Sequence, residues 1–177
     1  MSVTVEKDKK YVANTYNRFP VCIKEGKGSL LYGEDGKEYI DMGSGIAVST
    51  FGAADEEWLK AVKKQLDLFA HTSNLYYSSP CADLAEMLCE RTGMKKVFFA
   101  NSGAEANECA IKAARRWAAL HKGDDYFNII TLKNSFHGRT LTTLAATGQE
   151  NFHKDFLPLT EGFVTARRMI PKCLKCL

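Results

Sequence analysis

Two short segments carry residue types that could do chemistry together, Asn101-Ser102-Gly103-Ala104-Glu105-Ala106-Asn107 and Asn134-Ser135-Phe136-His137-Gly138-Arg139-Thr140. The first lies where a wholly apolar tetrapeptide, Val97-Phe98-Phe99-Ala100, gives way to residues with helical spacing. It is therefore expected to join the carboxyl end of a strand to the amino end of a helix. Backbone N–H groups at a helix start lack partners, and the dipole there favours an anion. Gly103 lets a ligand oxygen approach the backbone, and Ser102 can donate a hydroxyl hydrogen bond, so a phosphate is the natural guest. Plain capping of the helix by Asn101 or Ser102 is the other reading of the same residues. The turn has neither the Gly-Lys-Ser/Thr of a nucleoside-triphosphate loop nor the spaced glycines of a dinucleotide fold, which points to a phosphate-bearing cofactor of another kind.

The second segment follows another apolar run, Asn128-Ile129-Ile130-Thr131-Leu132. Ligands of an open α/β sheet sit beyond the carboxyl ends of its strands, so both segments are expected to face one pocket. Phe136 offers a flat face to an aromatic cofactor and Arg139 a bidentate clamp for a carboxylate. Taken singly, these residues read equally as a core Phe, a helix-capping His137 and a solvated Arg.

The elements that must position these residues are legible as patterns. Leu30-Leu31-Tyr32 and Tyr39-Ile40 flank Glu34-Asp35-Gly36, which predicts a β-hairpin. From Asp55, Leu59, Val62, Leu66 and Phe69 recur at helical intervals. Pro80 can open a further helix whose buried face is Leu84, Met87 and Leu88, with Gly93 as its stop. Between the two apolar runs, Cys109, Ala110, Ala113, Trp117 and Leu120 have helical spacing, and His121-Lys122-Gly123 suits a helix end. Strand, helix and strand over residues 97–132 predict a βαβ unit and a parallel sheet, and the fold class is α/β.

Composition narrows the function classes. The 177 residues are 45% hydrophobic and 25% charged, ordinary values for a globular protein. The net charge of +3 comes from interspersed residues, unlike the clustered basic face of a nucleic-acid binder. No apolar run is long enough for a membrane span, and the opening MSVTVEKDKK lacks the apolar stretch of a secretory signal, so a cytoplasmic location is expected. Of the six cysteines, Cys81, Cys89 and Cys109 fall in helical patterns and are expected as reduced core residues. Cys173 and Cys176 form a lone CxxC, which supplies only two of the ligands a structural zinc needs, so no metal is assigned.

An ordered series of segments resembles the class III pyridoxal-phosphate-dependent aminotransferases, of the acetylornithine/ornithine type. The series comprises Tyr16-Asn17-Arg18-Phe19-Pro20, Asp41 to Val48, His71 to Tyr77, Val97 to Glu108, Lys133 to Thr140 and Leu144 to Gly148, colinear from about Tyr11 to Phe163. The resemblance implies a fold-type I transferase: residues 1–55 in the small domain and 56–168 opening the large, mostly parallel-sheet domain. It implies pyridoxal 5'-phosphate held by Ser102, Gly103 and Ala104, its ring stacked on Phe136, and the substrate's α-carboxylate on Arg139. It also implies a homodimer in amino-acid (arginine) biosynthesis, moving an amino group between acetylornithine or a related ω-amine and 2-oxoglutarate. Ornithine or 4-aminobutyrate transamination is the sister activity.

Two departures stand out. Gly52-Ala53-Ala54-Asp55-Glu56 replaces the family's Gly-His-x-His-Pro. The family's aspartate on the pyridine nitrogen and its cofactor-bearing lysine have no counterpart in these 177 residues, and Lys112 reads as a surface residue. The segment alone is thus expected to be a non-catalytic portion. The stretch Met169 to Leu177 also leaves the family pattern, which continues with Asn-Asp. If the codon of Arg168 ends in A, a one-base shift turns Met-Ile into that pair. A frameshifted tail is the expectation, and the genomic DNA decides it.

Overall fold

The computed structural model describes residues 2–167, so the stretch 169–177, its CxxC and the expected frameshift lie outside the described residues. The chain divides into two compact units, one ending at Ser78 and the other starting at Ser79. The helix that begins after Asp55 therefore groups with the first unit.

The first unit opens with α1 (Val3–Tyr11), capped by the Ser2 hydroxyl, which accepts from the Thr4 N–H at 3.1 Å. An antiparallel meander follows, β1 (Ile23–Lys27), β2 (Leu30–Gly33) and β3 (Glu38–Ile40), with Gly26 opposite Leu31 and Leu31 opposite Tyr39. The expected hairpin is β2–β3, and its turn places Gly36 at φ 76°. The Glu34 carboxylate in that turn accepts from the hydroxyls of Ser2 and Thr4, the latter at 2.7 Å, and so ties α1 to the hairpin. A single turn, α2 (Ser44–Ala47), has φ of 46°, 61°, 59° and 60° at its four residues, and Asp41 Oδ1 accepts from the Gly43 and Ser44 N–H groups at its start. Next comes α3 (Glu56–Leu66), capped by Asp55, whose carboxylate accepts from the Trp58 N–H at 2.8 Å.

The second unit runs α4 (Ser79–Thr92), α5 (Gly103–His121), β4 (Ile129–Leu132), α6 (Leu141–Ala146), a 3₁₀ turn (Glu150–Phe152) and β5 (Phe163–Ala166). Strands β4 and β5 pair in parallel, Ile129 opposite Phe163 through Leu132 opposite Ala166, so the parallel sheet is present. Its core is small: Leu144, Ala145 and Ala146 of α6 with Ile111 of α5, joined by buried Thr131, Thr143 and Thr147. Helix α6 packs against both α5 and β5. Gly93 ends α4 at φ 72° and Gly123 ends α5 at φ 107°, as their positions suggested.

Several expectations fail. Val97 to Ala100 is not a strand: it joins no ladder among the described residues, and Phe98 and Phe99 are exposed. A strand exists only through a hydrogen-bonded neighbour, and the parallel partner of β4 is β5 instead. Helix α4 buries nothing, with Leu84 and Met87 about half exposed. Cys81 is exposed, while Cys89 and Cys109 are half-buried free thiols. Trp117 and Leu120 also face outward, because α5 turns Ala104, Asn107, Glu108, Ile111 and Arg115 inward.

The tether at Glu34 is expected to weaken in acid. Hydrogen bonds from Ser2, then Thr4 and Cys22, hold its carboxyl below the usual carboxylate range. A depressed folded pKa stabilises above the ordinary value of about 4.3 and is lost as pH falls through the lowered one. Gln at this position keeps one acceptor oxygen and converts the other into a donor. Glu34→Gln is therefore expected to speed tryptic cleavage at Lys7, Lys9 and Lys10 at neutral pH; an unchanged cleavage rate would show that Glu34 does not secure α1.

Candidate functional site

At the start of α5, Ser102 is extended (φ −155°, ψ 161°) and its hydroxyl oxygen accepts from the Glu105 N–H at 3.2 Å. The Glu105 carboxylate turns back to accept from the Asn101 N–H at 2.6 Å. This is the Ser-x-x-Glu capping pattern with its return bond moved one residue upstream. The capping reading of Ser102 is thus correct, and it leaves the anion reading intact. The cap consumes the Glu105 N–H, and the Ala106 N–H bonds to the Ser102 carbonyl at 3.0 Å. The N–H groups of Gly103 and Ala104 find no acceptor among the described residues, and a β-carbon on Gly103 would meet only open space. With the helix dipole behind them, these two donors and the Ser102 O–H suit a phosphate.

The second segment is bound to that same helix turn. Beyond β4 the chain reverses at Asn134 (φ 65°), whose N–H bonds to the Gly148 carbonyl at 2.8 Å. Gly138 (φ 133°) then lies directly on α5: a β-carbon there would stand 2.7 Å from the Ala104 β-carbon and 2.5 Å from the Thr143 hydroxyl. Two α5 side chains fasten the loop, Asn107 donating to the His137 carbonyl at 2.8 Å and the Glu108 carboxylate accepting from the Thr140 hydroxyl. From the other side, the fully buried Thr147 hydroxyl accepts from the His137 N–H at 3.0 Å and donates to the Thr143 carbonyl at 3.0 Å. Thr140 and Thr143 close a reciprocal capping box at the start of α6. Thr140, not His137, is therefore the cap of that helix.

Phe136 and Arg139 project from this fastened loop. Phe136 is 54% exposed, not a core residue, and makes a T-shaped contact with Phe152 at a centroid distance of 5.8 Å and 61°. The Arg139 guanidinium lies 5.6 Å from the centroid of the same Phe152 ring. The structure thus joins Ala104 to the loop through Gly138, and Phe136 to Arg139 through Phe152. The sequence reading missed Asn107, Glu108, Thr143, Thr147 and Phe152. A signal existed for the first two, which stand three and four residues beyond Ala104 and so share its helix face. Nothing in the sequence marked Phe152.

Two N–H groups without an acceptor among the described residues and a hydroxyl could hold a phosphate, and the loop seated on the same helix turn through Gly138 carries an exposed aromatic ring and a guanidinium. Comparison with known proteins gives the family. A family model described as aminotransferase class-III matches residues 11–176. The acetylornithine aminotransferase of Haemophilus ducreyi is 52% identical over 156 residues, 88% of this chain and 40% of that one. That of Methanocaldococcus jannaschii is 46% identical over 159 residues, 90% and 40% of the two chains. Among solved structures, the ornithine aminotransferase of Toxoplasma gondii ME49 superposes with a TM-score of 0.86 at 28% identity, over 93% of this chain and 39% of that one. An omega transaminase from Pseudomonas jessenii in complex with PMP gives 0.86 at 28% identity, over 94% and 39%. The fold is that of the fold-type I transferases, whose class III members depend on pyridoxal phosphate. The chain spans about 40% of the length of these curated relatives. Among the described residues no helix is long and apolar enough to cross a membrane, and no cluster of metal-ligating side chains occurs.

The close approach at Gly138 can be tested through stability. A methyl group there meets Ala104 and Thr143 inside van der Waals contact in a backbone conformation that L-residues rarely adopt. Gly138→Ala is expected to lower the unfolding free energy by about 1–3 kcal/mol, read by urea denaturation. An unchanged midpoint would show that the loop is not seated on α5.

Proposed function

The chain belongs to the class III aminotransferases, and we propose that its residues hold pyridoxal phosphate and a carboxylate substrate for transfer of an amino group between acetylornithine, or a related ω-amine, and 2-oxoglutarate. The observation that carries this reading is the seating of the Asn134–Thr140 loop on the first turn of α5, through Gly138 and Ala104. It gives the anion-binding turn and the residues facing the substrate one shared frame. In this reading the Ser102 hydroxyl and the Gly103 and Ala104 N–H groups bind the phosphate. Phe136 stacks on the cofactor ring, and Arg139 pairs with the α-carboxylate. When bound, the cofactor supplies an electron sink and a temporary carrier for the amino group, while the chain supplies orientation and charge. No lysine of this chain is assigned a catalytic role.

The preference for acetylornithine rests on relatives of that name at 52%, 49% and 49% identity. Ornithine transamination is the second reading, supported by the similarity to the Toxoplasma gondii enzyme. The complete protein is read as a homodimer, on the family resemblance.

Two outcomes test the proposal. A charge-assisted hydrogen bond contributes roughly 1.5–3 kcal/mol. In the full-length aminotransferase, Arg139→Ala should thus lower kcat/KM for an α-amino acid by about ten- to a hundredfold, and far less for an amine without a carboxylate. Equal losses on both substrates would remove Arg139 from the clamp. Second, residues 1–177 alone, supplied with pyridoxal phosphate, are expected to show no transamination. Turnover by that polypeptide would mean that one of its own lysines serves.

A further inference from the structure

We infer that Phe152 is a positioning residue for carboxylate recognition, a fixed aromatic platform that sets the direction of the Arg139 guanidinium. The inference rests on the reading of Arg139 as the carboxylate clamp.

Three observations carry it. First, both residues that project from the loop converge on this one ring, Phe136 in a T-shaped contact at 5.8 Å between centroids and Arg139 at 5.6 Å from its centroid. Second, the 3₁₀ turn bearing Phe152 is secured on either side. The His153 ring nitrogen Nε2 bonds to the Leu144 carbonyl of buried α6 at 2.9 Å, just after Phe152. Just before it, the Gln149 amide donates to the Ser135 carbonyl at 3.2 Å, on the loop that carries Phe136 and Arg139. Within the turn, the Phe152 N–H bonds to the Gln149 carbonyl at 3.1 Å. The half-buried ring therefore moves with the loop and with α6. Third, the guanidinium is exposed, on a long side chain that pays a large rotamer entropy to be held in one direction.

An aromatic face suits this task. Its quadrupole attracts a guanidinium, which is weakly hydrated and stacks well, and it makes no claim on the N–H fork that must meet a carboxylate. A carboxylate in the same place would hold the cation harder but would compete with the substrate. Phe152 lowers the cost of ordering Arg139.

The test uses the full-length aminotransferase carrying these residues, with Phe152→Leu and Phe152→Tyr, and Phe152→Met as the volume-keeping substitute should Leu fail to fold. Calorimetric binding of succinate, an unreactive dicarboxylate, is read beside KM and kcat. Loss of the ring is expected to weaken succinate binding and raise KM for an α-amino acid by about fivefold, the size of a partly exposed cation–π contact. The expected change in kcat is smaller, with no change in KM for an amine lacking a carboxylate. Tyr, which keeps the ring, restores both values. In an Arg139→Ala background, removing the ring should weaken succinate binding no further. Equal weakening for carboxylate and plain amine, failure of Tyr to rescue, or additive effects in the double variant would each overturn the platform. Arg139→Ala without effect on succinate would overturn the clamp itself. Arg139→Ala weakening it while Phe152→Leu does not would overturn this inference alone.

Discussion

Gly138 lies so close to the first turn of α5 that the backbone of one segment rests on the Cα and Cβ of Ala104 in the other. Such an approach is open only to a residue without a side chain, and here at φ 133°. The rest of the site depends on this contact. It seats the loop at the helix end where N–H groups lack partners, and it brings the His137 carbonyl and the Thr140 hydroxyl within reach of Asn107 and Glu108. His137, Gly138 and Thr140 are thereby tied to the start of one helix. Phe136, just before the tied stretch, and Arg139, within it, are held at their backbones while their side chains are exposed.

The polar character of the core follows from the same geometry. A loop pressed between two helices carries backbone N–H and C=O groups into a region closed to water, and each must find a partner there. Thr147 and Thr143 supply hydroxyls that both accept and donate, which is why the most buried side chains of the second unit are threonines. A valine of the same shape would pack as well and leave the His137 N–H unpaired. Arg115 performs a comparable task further along α5. Its Nη2 donates to the Glu161 carbonyl at 2.7 Å and its guanidinium lies 5.4 Å from the Phe163 ring, fixing the entry to β5.

The sequence made plain which residues could do chemistry and which stretches had helical or strand-like patterning. The β2–β3 hairpin, the helix that follows Asp55 and the glycine ends of α4 and α5 were all legible, because each is decided by a few adjacent residues. Val97 to Ala100 was not, since apolar composition shows that a stretch prefers burial and says nothing of whether a neighbour pairs with it. The stripes of α4 and the Trp117 side of α5 were misjudged on the same ground. Ser102, Gly103, Phe136 and Arg139 could be picked out by residue type at a turn. Phe152 could not, because its position near Arg139 is created by the return of the chain after α6, which no local pattern records.

The cap of α5 shows how two readings of one turn become compatible. A serine that only capped the helix would point its oxygen at an N–H and serve no ligand; one that only bound phosphate would leave the Glu105 N–H unpaired. A hydroxyl has lone pairs and a proton, so Ser102 accepts from Glu105 while its O–H remains a donor. The neighbouring carboxylate presents the harder problem, since a negative charge in the first turn is drawn to the dipole yet repels an incoming anion. Glu105 is turned upstream and engaged by the Asn101 N–H at 2.6 Å, which directs it toward the residue before the cap and keeps it off the Gly103 and Ala104 donors. One backbone bond therefore settles the competition between an acid and an anion for the same helix end.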